Sequence, residues 1–80
     1  MKNIRDTVIE ILNEIDDEIV EYDGDNLIDA GFLDSFTIVT IITMVEDKLH
    51  ITISPDEVKE CNFKSVDAIV QLVIDTNDNR

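Results

Sequence analysis

The chain has one cysteine, one histidine and six Lys and Arg residues among 80, and each scarcity narrows what the protein can do. With Cys61 alone there is no intramolecular disulfide and no cysteine-rich metal site, which fits a reducing compartment. Six basic residues against 19 acidic ones leave a net charge of -13 and a pI near 4.1. Such a surface repels phosphate backbones and anionic headgroups, so nucleic acid and membranes are poor partners and basic protein surfaces are good ones. Long apolar runs are missing too: the most apolar stretch, residues 36–45, is broken by Thr40 and Thr43 and is too short to span a bilayer. The first six residues carry Lys2, Arg5 and Asp6 where a signal peptide needs an apolar segment. These features together point to a cytoplasmic protein.

Hydrophobic residues make up 44% of the chain, enough to fold despite 31% charged residues. A chain of this length forms one domain, residues 1–80, and buries only about 60% of its unfolded surface, leaving no room for a deep enclosed active site.

Four segments show helical spacing. Ile4, Val8, Ile11, Leu12 and Ile15 share one face of a first helix, with Asn3 as N-cap. Periodicity then fades over residues 16–33, where Asp16, Asp17, Glu18, Glu21, Asp23, Asp25 and Asp29 crowd together. This reads as a long loop, anchored by Ile19, Leu27, Ile28, Phe32 and Leu33 and flexible at Gly24 and Gly31; loops this long usually have a function. Residues 38–43 are all β-branched and favour a strand, but period overrides propensity. Ile38, Ile41, Ile42, Val45 and Leu49 fall on one helical face, which predicts a second helix over residues 35–49. Ser54-Pro55-Asp56-Glu57 has the pattern of a capping box with proline at the first helical position, opening a short third helix through Cys61. Ser65 caps a fourth, in which Val66, Ile69, Val70, Val73 and Ile74 repeat at helical spacing, and the tail, about residues 76–80, is expected to fray.

The chemistry concentrates at Gly31-Phe32-Leu33-Asp34-Ser35-Phe36, where a serine meets a loop–helix junction with Asp34 as N-cap. Unpaired amides and the helix dipole there favour an attached phosphodiester by about 0.3–1 kcal/mol. At this point the sequence resembles the acyl carrier protein family, marked by a D-S-[LF] tripeptide after a glycine-containing loop and before an amphipathic helix. The resemblance runs through nearly the whole chain, including Ile51-Thr52-Ile53-Ser54-Pro55-Asp56-Glu57 and Phe63-Lys64-Ser65-Val66. It implies an all-α fold, a four-helix bundle with a long loop between its first two helices and a short third helix. It also implies that Ser35 receives 4'-phosphopantetheine from coenzyme A through a phosphopantetheinyl transferase. The arm then carries an acyl or aminoacyl thioester between a loading ligase and a downstream synthase or transferase with basic surfaces, and the chain, a monomer, catalyses nothing itself. Fatty-acid carriers commonly place acidic residues on the second helix just past the serine; here Thr37 and Thr40 stand there, with Glu46 and Asp47 further on. Phenylalanine after the serine is more similar to D-alanyl carrier proteins and some stand-alone carriers of specialised pathways.

Helical spacing also aligns Phe36, Thr40 and Met44 beside Ser35, an expected docking stripe for partner enzymes with Asp47 and the loop carboxylates steering approach. The alternative is that Phe36 or Met44 tucks into the core. Rival functions fit less well. A serine hydrolase lacks the glycines of a nucleophile elbow, since Leu33 and Thr37 flank the site, and His50 lies roughly 20 Å away along the helix. An EF-hand fails because aligning Gly24 with the obligatory glycine puts Ile19 at the first ligand position, so no specific metal site is expected. An unmodified acidic interaction module with weak divalent binding stands as the alternative function. Cys61 reads as a small buried hydrophobe without a role.

Overall fold

Five α-helices and one 3₁₀ turn make up the computed structural model, which describes residues 3–24 and 26–78. Met1, Lys2, Asp25 of the acidic loop, and Asn79 and Arg80 of the tail lie outside the described residues. Helix α1 (Ile4–Ile15) starts where Asn3 Oδ1 accepts the Asp6 amide at 2.8 Å, and it buries Val8, Ile11 and Leu12. It stops at Asp16, whose N–H donates to the Leu12 carbonyl.

The same residue opens a helix that periodicity did not reveal. The Asp16 carboxylate accepts the Glu18 amide at 3.0 Å and caps α2 (Asp17–Glu21), a single turn inside the segment read as loop. Five residues are too few to show a period, but one turn suffices to bury Ile19 completely. Hydrogen bonds hold residues 26–33 of the remaining loop. Asn26 Oδ1 accepts the amides of Ile28 and Asp29, Phe32 N–H donates to the Leu27 carbonyl, and Leu27 N–H reaches the Lys64 carbonyl at 2.7 Å. Leu27 and Leu33 are buried, and Gly31 takes φ 89°, a left-handed conformation that suits a residue without Cβ.

Helix α3 (Ser35–Leu49) buries Ile41 and Val45 and packs Ile38, Ile42, Leu49 and Met44 against the core. Its β-branched residues therefore serve a helix, because burying one face outweighs a weak local preference for strand. His50 ends it in the left-handed region, φ 56°, and donates its N–H to the Glu46 carbonyl. The chain then turns so that Ile51 and Ile53 are buried, with Ile53 N–H bonded to Glu46 Oε2 at 2.8 Å.

The expected third helix is two pieces. Ser54 Oγ accepts from the Asp56 amide, giving a 3₁₀ turn at Pro55–Glu57 that breaks at Val58, and α4 (Glu60–Phe63) follows. The capping box does not close, because the Glu57 carboxylate accepts from Asn62 Nδ2, which also donates to the Glu57 carbonyl at 2.7 Å. After this break it is Phe63, 1% exposed, that enters the core, and Cys61 is exposed, contrary to its reading as a buried hydrophobe. Helix α5 (Val66–Asp78), with the Ala68 amide on Ser65 Oγ, buries Ile69, Val70, Leu72 and Val73 and stays helical to Asp78, past the expected onset of fraying. Helix α1 is the hub of the bundle, packing on α2, α3 and α5, while α4 packs on α5. No helix among the described residues is long and apolar enough to cross a membrane.

Candidate functional site

Asp34 leaves the loop with extended backbone, φ -127° and ψ -178°, and its carboxylate accepts the Thr37 amide at 2.8 Å. That amide, then the Thr37 hydroxyl, and more weakly the Phe36 amide hold the Asp34 carboxyl below its ordinary value, with slight desolvation opposing them. The charged cap leaves Ser35, the first residue of α3, out of the capping network. Ser35 is exposed, and its hydroxyl makes no hydrogen bond among the described residues.

This arrangement fits a covalent phosphodiester, with one correction. The expectation was of vacant amides at the helix start, yet Asp34 already uses the Thr37 amide and draws on that of Phe36. A charged group on Ser35 would be accommodated by exposure to water and the helix dipole rather than by an empty anion cradle. The loop ahead leaves space as well: a Cβ placed on Gly31 would meet nothing within 4 Å.

The surface beside Ser35 is uncharged from Ser35 to Val45, in a chain otherwise dense with carboxylates. Phe36 is 81% exposed and Val39 59%. Thr40 and Thr43 donate their hydroxyls back to the carbonyls of Phe36 and Val39, at 3.0 and 2.9 Å, so both hydroxyl protons are used within the helix. The exposed face of α3 therefore differs from the expected stripe of Phe36, Thr40 and Met44. Thr40 is half-buried and Met44 packs against the core, whereas Val39 and Thr43 join Phe36, with Asp47 exposed further along. At about 100° per residue, position i+7 returns to within roughly 20° of Phe36 while i+8 is roughly 80° away, so a ladder of fours drifts onto the core. Val39 is the exposed apolar residue that the stripe left out, and the i+3, i+7 spacing was its signal.

Glu46 and Asp47, adjacent in sequence, have separate positions. Asp47 is exposed, and Glu46 is partly buried on the Ile53 amide. His50 stands at the opposite end of α3 from Ser35. Among the described residues no group of three or more His, Cys, Asp or Glu could hold a metal ion.

Comparison with known proteins agrees with this geometry. Residues 2–73 match the family model for the phosphopantetheine attachment site. The chain is 35% identical over 68 residues to the D-alanyl carrier protein of Listeria monocytogenes serotype 4b (strain CLIP80459), an alignment covering 82% of this chain and 87% of the relative. D-alanyl carrier proteins of Listeria welshimeri and Listeria innocua are 34% identical over 68 residues, with the same shares covered. No solved structure gives a significant match.

Proposed function

The chain belongs to the acyl carrier protein family, whose members bear covalent 4'-phosphopantetheine, and from that premise we propose that Ser35 is the attachment residue and D-alanyl the cargo. The observation that carries the first half is the division of labour at the start of α3. Asp34 does the capping and Ser35 keeps an exposed, unengaged hydroxyl. The relatives named as D-alanyl carrier proteins support the second half.

When bound, the group supplies a terminal thiol on which the acyl or aminoacyl residue is held as a thioester. The chain's own residues act as handle and address. Asp34 fixes the first turn of α3 so that the Ser35 hydroxyl faces an incoming phosphopantetheinyl transferase. Phe36, Val39 and Thr43 offer that enzyme, the loading ligase and the downstream transferase an apolar face, with Thr40 and Met44 supporting it from beneath and Asp47 at its end. The surrounding carboxylates steer partners with basic surfaces toward it.

The cargo is tested by incubating the phosphopantetheinylated protein with ATP, a D-alanine-activating ligase and either D-alanine or a fatty acid with its own ligase. A hydroxylamine-labile gain of one D-alanyl residue is expected. Loading by the fatty acid alone would count against D-alanine.

A further inference from the structure

Resting on the reading of Ser35 as the attachment residue, we infer that Tyr22 is a positioning residue for its modification, its ring holding the loop that leads into α3. Tyr22 closes α2, its N–H bonded to the Glu18 carbonyl, and its ring lies against Phe32 with centroids 5.1 Å apart and planes tilted by 49°. The pair thereby brings together two positions ten apart in sequence. The ring also occupies the space over Gly24, where a Cβ would overlap the Tyr22 hydroxyl and its ring carbon. Glycine at position 24 is what allows the tyrosine to lie there.

The link to Ser35 is short. Phe32 precedes it by three residues, at most about 10 Å of chain. Between them Leu33 is 2% exposed and Asp34 is the cap, so a shift of Phe32 is transmitted to both. The loop's bonds to α4 and its C-cap, from Asn26 to Glu60 and from the Leu27 amide to the Lys64 carbonyl, are made nearer its start. The stretch immediately before the serine relies on the Phe32 and Leu33 amides at the Leu27 carbonyl, and on the ring pair. A transferase that meets this stretch already ordered is spared the entropy of ordering it, and that saving appears in KM.

The test uses the full apo chain with coenzyme A and a phosphopantetheinyl transferase, comparing wild type with Tyr22→Phe, Tyr22→Ala and Gly24→Ala. Tyr22→Ala is expected to raise KM about two- to twelvefold, the range an aromatic pair supplies, with kcat changed less than roughly twofold. Tyr22→Phe keeps the ring and stays at the wild-type KM. Gly24→Ala, which removes nothing but displaces the ring, shifts KM in the same direction as Tyr22→Ala. Amide hydrogen exchange provides a second readout: in Tyr22→Ala the Phe32 and Leu33 amides exchange faster while α5 keeps its protection. An unchanged KM in Tyr22→Ala overturns the inference, as does a loss of activity matched by loss of α5 protection. Should wild type take no phosphopantetheine at all, the attachment reading fails separately. The claim that the Tyr22 ring holds the loop before α3 is then decided by exchange, upheld by local acceleration and refuted by wild-type rates.

Discussion

Replacing Glu46 by alanine, in parallel with Asp47, separates two carboxylates that are adjacent in sequence but differently placed, one partly buried and one exposed. Both changes remove one negative charge near the C-terminus of α3 and both introduce a better helix former, so those effects largely cancel in the comparison. What remains is the bond from the Ile53 amide to Glu46 Oε2 at 2.8 Å, which ties the turn after α3 to the helix and helps hold Ile51 and Ile53 in the core. A hydrogen bond to a charged group is worth about 1.5–3 kcal/mol, and partial exposure places this one near the lower end. A domain of this size loses about 4–8 °C of melting temperature per kcal/mol, so Glu46→Ala should melt about 6–15 °C below Asp47→Ala. Asp47→Ala, at an exposed position, should stay within about 0.5 kcal/mol of wild type. Thermal melts followed by circular dichroism give both values. Equal melting temperatures for the two variants would refute the assignment of Glu46 to the fold.

Phe63→Ala removes the largest side chain from the core and should cost about 3–5 kcal/mol, a large share of the roughly 4–12 kcal/mol available to 80 residues, so a broad, early melt is expected. Phe36→Ala and Val39→Ala should leave the melting temperature within a few degrees while lowering turnover by partner enzymes. Met44→Ala should destabilise by about 1–2 kcal/mol because its side chain is half in the core. The Asp34 carboxyl is held low in the folded chain, so its stabilising effect is fully present above the unfolded value of about 3.9 and is lost as pH falls through the lower folded one. Asp34→Asn should accordingly be less stable than wild type at neutral pH, and the gap should close below about pH 4 in pH-dependent melts.

The long helices were legible because their apolar residues repeat over several turns, as in Ile4 through Ile15 and Val66 through Ile74. The Asp34 and Ser65 caps were legible too, since each cap acts on residues a few positions along the chain. What stayed hidden depended on single residues serving two purposes or on distant partners. Asp16 caps two helices at once, and a five-residue helix has no measurable period. Glu57 turns to Asn62 and so abandons the capping box, a choice that depends on how α4 folds back. At the candidate site, Ser35 and Asp34 could be read from order and spacing, whereas Val39 needed the true helical angle, and the Tyr22–Phe32 pair spans a loop with no period at all.

Intact mass measurement after incubation with coenzyme A and a broad-specificity phosphopantetheinyl transferase tests the central claim most directly, using wild type and Ser35→Ala side by side. Wild type should gain the mass of one phosphopantetheine group and Ser35→Ala none. An unchanged wild-type mass, or a gain that survives Ser35→Ala, would contradict Ser35 as the attachment residue.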